Sequence, residues 1–260
     1  MLGNHLNYAL KYGSDLCKEG FEKSLVHFRR KHLLEIFRLY NPKNIVEVGC
    51  GIEPIFSWYS DFKKIQIIER SKEFCDAASS ELIRLRKEND KYKKIDISIK
   101  NVSFESCYDL DAQIDFVILS SILHEVDDAK FFLQHLKTLL KGEECIYINV
   151  PNANSLHRLL AHQAGIIEDT AEISKRGDFF ETKRVFTAQE LAELVDLCGF
   201  NILDSGTAVL KPFTHAQMDK IFDRNTESNV AILGALFDSD RIVPGLGSEI
   251  WMLVKPNSEA

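Results

Sequence analysis

Five compact apolar runs follow one another between Asn44 and Pro151: "NIVEVG", "KKIQIIE", "DISIKNVSFES", "IDFVILS" and "ECIYINVP". Between them, apolar residues recur at helical spacing, most clearly in "SKEFCDAASSELIRLRKENDKYKKI" and "AKFFLQHLKTLLKG". Strands that alternate with helices pair in parallel, because each helix returns the chain across the sheet and buries its apolar stripe on one face. The alternation predicts an α/β fold with a doubly wound, Rossmann-like sheet.

The flanks extend this pattern. Leu25, Phe28, Leu33, Ile36, Phe37 and Tyr40 form a helical stripe, with "RRKH" on the other face, read as amphipathic surface or else as a catch for an acidic substrate or phosphate, and Asn41-Pro42 stops it. "TAQELAELVDLCGF" reads as a capped helix, with Thr187 as N-cap, Glu190 three residues on and Gly199 past its end. "NILDSGTAVL" and "EIWMLVKP" read as two final strands, separated by a helical segment, which brings the sheet to about seven strands. Residues 152–186 interrupt the rhythm. A stretch of roughly 30 residues without a strand is long for a connection and is expected to be a helical, substrate-side insertion after strand five.

A chain of 260 residues fits a single domain, 1–260, with residues 1–40 as a helical N-terminal lid in which Tyr8 and Tyr12 either cover the site or simply pack. The 32 basic residues are outnumbered by 39 acidic ones, a formal charge of -7, so no global field draws the protein to nucleic acid or an anionic membrane. No apolar run approaches the ~18 residues needed to span a bilayer, and the N-terminus lacks a leader pattern. A cytoplasmic protein is expected. Its six cysteines show no Cys-x-x-Cys pair and no zinc spacing, so reduced thiols and no metal are expected. The oligomeric state, homodimer included, is left open.

The chemistry concentrates in "NIVEVGCGIEP". A first strand ending in Gly-x-Gly lets backbone amides approach a ligand at the carboxyl end of the sheet, and Gly49 and Gly51 occupy that place. Glu69 closes the second strand 20 positions after Gly49, the separation at which an acid reaches a ribose hydroxyl pair. A dinucleotide fingerprint needs a third glycine where Pro54 stands, and Glu47 and Glu53 would repel a pyrophosphate. A buried acid at Glu47 is costly without a partner, so a cationic ligand is expected beside it.

"VEVGCGIEP" resembles motif I of the class I S-adenosylmethionine-dependent methyltransferases, "IIER" their acidic second strand, and "IDFVILSSILHEVDD" their fourth strand and following loop. "VPNANSLHRLLA" through "LKPF" is similar to members that methylate small molecules in sugar, surface-glycan and natural-product pathways. The resemblance implies an antiparallel last strand and S-adenosylmethionine as cofactor, leaving S-adenosylhomocysteine. It implies backbone contacts from Gly49, Cys50 and Gly51 to the methionine part, Glu47 toward its amino group, Glu69 on the ribose and Arg70 beside the adenine. The adenine contact stays open among Asn101, Ser103 and Phe104, while Ser120 and Ser121 line the sulfonium pocket.

An alcohol acceptor must lose its proton during attack, so a base near the methyl group matters. His124, on the loop after strand four, is the first candidate, with a neutral packing role the equal alternative. His157 is the second candidate, as base or substrate contact, with His162 weaker. His124 and Glu125 do not make a closed metal ligand set. The expected activity is methyl transfer to a small-molecule acceptor, at an oxygen of a sugar, phosphate-type or natural-product precursor. N-methylation, an NAD(P)-dependent oxidoreductase and a non-catalytic cofactor-binding subunit are the competing readings.

Overall fold

A computed structural model describes residues 21–110, 113–222, 227–239 and 242–257. Seven strands form one sheet: β1 (Asn44–Val48), β2 (Lys64–Glu69), β3 (Asp96–Asn101), β4 (Phe116–Ser120), β5 (Cys145–Pro151), β6 (Phe200–Ala208) and β7 (Glu249–Pro256). Their order is β3-β2-β1-β4-β5-β7-β6. The first five are parallel, and β7 runs antiparallel between β5 and β6. The sheet therefore has the Rossmann-like arrangement and antiparallel last strand expected, and its order reverses between β1 and β4, directly above the glycine turn.

Two apolar layers hold helices on the faces. On one, Phe132, Leu133 and Leu136 of α3 (Ala129–Leu139) and Leu191 and Val195 of α6 (Ala188–Leu197) pack on Val46, Val117 and Ile148. On the other, Leu33, Ile36 and Phe37 of α1 (Phe21–Tyr40) and Ala78 and Leu82 of α2 (Lys72–Glu88) pack on Ile45, Ile65 and Ile118. Each buried side chain of this size contributes on the order of 1.5–3 kcal/mol, so the sheet's carboxyl edge is a rigid platform. Thr187 and Glu190 form the reciprocal cap foreseen for α6.

The insertion contains α4 (Leu156–Gln163) and the short α5 (Lys175–Phe179), and a bridge between Asn152 and Phe186 closes its base. Beyond β6 lie α7 (His215–Ile221) and α8 (Glu227–Asp238). A third apolar cluster joins Phe21, Leu25 and Phe28 of α1 to Val209, Met218 and Phe237, so the start of α1 is fastened to the β6–β7 connection. Tyr8 and Tyr12 lie outside the described residues. Five cysteines, Cys50, Cys75, Cys107, Cys145 and Cys198, are free and buried. Among the described residues no helix is long and apolar enough to cross a membrane, and no cluster of side chains could hold a metal ion.

Candidate functional site

A cavity of about 330 Å³ opens at the carboxyl ends of β1, β2 and β4. Gly49 and Gly51 turn the chain there with φ of 71° and 58°, a region L side chains rarely adopt. Gly49 has a second reason to be glycine: an added Cβ would lie 2.3 Å from Ile122 Cδ1. The Gly51 position faces open space. Ser121 on the opposing loop is also left-handed, at φ 60°, held by its amide donating to Asn149 O at 2.9 Å.

Glu69 lines the cavity with its carboxylate fixed by backbone donors, Ser71 N at 2.8 Å and Gly51 N at 3.4 Å. Burial pushes this carboxyl above its ordinary range, opposed by those two amides and Arg70. Cys50, Arg70, Phe104, Ser120 and Ser121 also line the wall. Asn101 and Ser103 do not. The Asn101 amide instead donates to Glu69 O and Arg70 O, both at 3.0 Å, which orients the end of β2, and the Ser103 hydroxyl bonds Ser106 at 3.0 Å. Of the three adenine candidates, only Phe104 reaches the cavity, and Glu105 joins it there.

Glu47 departs from the sequence reading. It is 1% exposed, lies outside the cavity lining, and has its positive partner within the chain: Arg30 Nη1 donates to Oε1 at 3.0 Å. The Ile55 amide donates to the other oxygen at 2.9 Å, and Arg30 also holds the carbonyl of Glu53. Burial raises the Glu47 carboxyl while Arg30 and the amide oppose the rise. The inference from a buried acid to a cationic ligand fails because half of "RRKH" is not solvated; Arg30 is 8% exposed and buttresses the glycine turn.

His124 is also displaced from its expected place. It is buried outside the cavity lining, its Nδ1 has no hydrogen-bond partner among the described residues, and burial followed by the charge of Arg29 pushes its pKa down to about 3. Its carbonyl accepts from Lys183 N at 2.8 Å, tying the β4 loop to the insertion. The neighbouring Glu125 is the residue that lines the cavity, 3.8 Å from Arg70 and 3.7 Å from His124 Nε2. His157 lies outside the lining too, with burial first and then Lys211, Arg158 and His215 holding its pKa far below the ordinary value.

At the other end of the cavity, Glu22 and Arg29 of α1 contribute a pair of charges that sequence reading missed. Glu22 accepts from Arg176 and from His215 Nε2, each at 3.0 Å, and lies 3.4 Å from Arg29. Burial alone would raise the Glu22 carboxyl, but the His215 hydrogen bond and the two arginines prevail and hold it far below its usual range. Arg29 donates to Glu249 at 2.6 Å, and Asn149 Nδ2 donates to that carboxylate's other oxygen at 3.0 Å. No local pattern signals these partners, which lie 154 to 220 positions apart along the chain except for the Glu22–Arg29 pair and Asn149–Glu249.

The model for the methyltransferase domain family matches residues 23–205, most of the chain. The chain belongs to the methyltransferase-domain family. Membership brings S-adenosylmethionine as the cofactor, and the cavity suits it: a carboxylate at the end of β2, a glycine turn without side chains, and an apolar wall at Phe104. This methyltransferase is similar in fold to magnesium protoporphyrin IX methyltransferase of Synechocystis PCC 6803, solved with S-adenosylhomocysteine, at TM-score 0.60 and 10% identity over 96% of this chain and 93% of that one. The plantazolicin methyltransferase BamL, solved with a triazolic desmethylPZN analog and S-adenosylhomocysteine, gives 0.56 and 15% over 98% and 97%. The methyltransferase domain of bacterial CtHen1 gives 0.54 and 11% over 88% and 97%. Comparison with curated proteins finds no sequence relative.

Proposed function

We propose that this methyltransferase transfers a methyl group from S-adenosylmethionine to an oxygen of a small-molecule acceptor. The observation that carries the cofactor end is Glu69 beside the Gly49–Gly51 turn, its carboxylate oriented by two amides and facing the cavity. A dinucleotide is disfavoured by the same turn. After the glycines comes a three-residue helical turn, Ile55–Ser57, whose first amide is already taken by Glu47, so no free helix start faces a pyrophosphate.

S-adenosylmethionine supplies an activated methyl group on a sulfonium that departs as a neutral thioether. The chain's own residues bind, align and exclude water, effects that contribute about 7 to 11 kcal/mol in well-oriented systems. Glu69 would take the ribose hydroxyls, the Gly49–Gly51 backbone would take the methionine part, and Ser121, fixed by Asn149, would border the reacting end. For an oxygen acceptor the proton would go to a carboxylate at the wall, and Glu125, which lines the cavity where His124 does not, is the proposed base. The acceptor approaches from the side of Glu22 and Arg29, between α1 and the insertion.

Calorimetric titration with S-adenosylhomocysteine, with NAD(H) as control, tests the reading. Saturable binding of the sulfur compound alone is expected; binding of NAD(H) in its stead would overturn it. Acceptor screening then asks whether Glu125→Gln lowers kcat at unchanged cofactor affinity.

A further inference from the structure

Buried polar atoms nearly always find a partner, so each one that does not calls for an explanation, a bound water or ion among them. Three of the unpartnered ones here are Ser155 Oγ, His157 Nδ1 and Ser248 Oγ. Their two chain segments are laced to each other and to Val209, just past β6. Leu156 N donates to Leu246 O at 3.0 Å, Asn152 N to Ser248 O at 3.0 Å, and Ser248 N to Val209 O at 2.8 Å. Lys211, 4% exposed, belongs to the same junction. Among the described residues its ammonium has one hydrogen-bond partner, His215 Nδ1 at 3.0 Å. That ring gives its other N–H to Glu22, so Nδ1 is an acceptor and engages one of the three Lys211 donors. Two N–H groups of Lys211 remain.

Every open group at this junction can donate: two hydroxyls, the Lys211 ammonium and a histidine ring nitrogen. The nearby carboxylates do not fill the gap. Glu22 is engaged by Arg29, Arg176 and His215, and Glu249 by Arg29 and Asn149. Of the charges around Lys211, those of Glu22 and Glu249 act most strongly, with Arg158 and Arg176 opposing them. Buried donors without acceptors call for an oxyanion.

We propose that Lys211, His157, Ser155 and Ser248 form the seat for an oxyanion, carboxylate or phosphate, carried by the methyl acceptor. The proposal rests on the methyl-transfer reading of the cavity and adds the acceptor's class. None of the four residues lines the cavity; they connect to its wall through Glu22 and Arg29, which line it and bond His215 and Glu249, and through Asn149, which bonds Glu249 and Ser121. An elongated acceptor then has its nucleophile at Ser121 and its acidic end at Lys211. Lys211 lowered by burial to about 7 agrees with a site whose charge is completed by its ligand.

Histidine-ring NMR of the full chain, titrated with inorganic phosphate and separately with succinate, reads the seat directly. The expected result is a saturable shift of the His157 ring resonances. Lys211→Met, which keeps the volume and removes the charge, should weaken that binding at least about tenfold, the scale of a charge-assisted hydrogen bond. Ser248→Ala tests the same seat without removing a charge and should weaken it about threefold. Response to phosphate alone identifies a phosphate ester as the acceptor, and response to succinate alone a carboxylate. Absence of a response to either anion, or equal binding in both variants, overturns the seat. Calorimetry with S-adenosylhomocysteine on the same sample reports separately: lost cofactor binding with anion binding retained sinks the methyl-transfer reading and leaves the seat.

Discussion

The two ends of the cavity are built differently. At the cofactor end, each functional group is positioned by residues close to it in the chain: Glu69 by Ser71 and Gly51, and the glycine turn by Glu47 and Ile55. The separations are short: 17 positions from Arg30 to Glu47, 18 from Gly51 to Glu69 and 32 from Asn101 to Glu69. At the proposed acceptor end, Glu22, Arg29, Arg176, His215 and Glu249 meet from segments as far apart as 220 positions, and among the described residues the buried hydroxyls of Ser155 and Ser248 have no partner. One end is complete without a ligand, while the other keeps donors open. A binding site for an invariant cofactor can be satisfied in advance; a site for a particular acceptor stores its specificity as groups that only that ligand satisfies.

The sharpest way to break this contrast is at the turn itself. Gly49→Ala meets both a left-handed backbone and Ile122, so a loss of at least about 2 kcal/mol in stability is expected by denaturant titration, together with loss of cofactor binding. A variant with wild-type stability would show that the turn is not rigid. Glu69→Ala should lower S-adenosylhomocysteine affinity about 30- to 100-fold, roughly 2–3 kcal/mol for charge-assisted ribose contacts, with stability little changed. Calorimetry that finds the affinity unaltered removes Glu69 from the cofactor site.

The acceptor end predicts the opposite sign. Lys211 has a pKa depressed by burial to about 7, so the folded state resists the proton that the unfolded lysine carries up to about pH 10.5. Stability from this group is full above the unfolded value and is lost as pH falls toward 7. Removing the charge should therefore stabilise: Lys211→Met is expected to raise stability at pH 7 by about 1–3 kcal/mol while weakening anion binding, the trade-off of a functional site. Unchanged or lower stability would mean that the lysine is comfortably solvated or paired.

A smaller effect comes from the histidines. Burial holds His215 at about 4 and His124 at about 3. Both stay neutral when folded, whereas the unfolded chain protonates near 6.5. Their stabilising contribution is present above about pH 6.5 and declines as pH falls toward 4, and Glu22, held below its ordinary range, extends the decline further into acid. Thermal melts across this window should show the slope, and His215→Gln should reduce it by up to about 1.4 kcal/mol per pH unit. A pH-independent melting temperature would contradict the burial of these rings.

The seven strands, the capped helix at Thr187 and the glycine turn were legible because each is written in local periodicity or in fixed short spacing. Glu69 was legible for the same reason, since a strand's length sets its distance from the turn. Glu47 misled because burial was visible in its apolar strand while its partner, Arg30, sat in a segment that looked like a charged surface. His124 was left open between a base and a neutral packing residue because adjacent positions on an irregular loop differ in exposure: Glu125 lines the cavity, while His124 is buried outside the lining.

The amino-acid sequence by itself determined the sheet, the place of the cofactor cavity at the switch in strand order, and the identity of the residues on the glycine turn and strand ends. Strand and helix periods, and the conformational freedom of glycine, act over a few residues and need no distant information. Only the tertiary structure decided the charge pairing of Glu47, the placement of Glu125 rather than His124 on the cavity wall, and the assembly of Glu22, Arg29, Arg176, Lys211, His215 and Glu249. Those depend on which segments the fold brings together, and on burial, which makes a charge or hydroxyl costly until a partner from elsewhere in the chain, or a ligand, satisfies it.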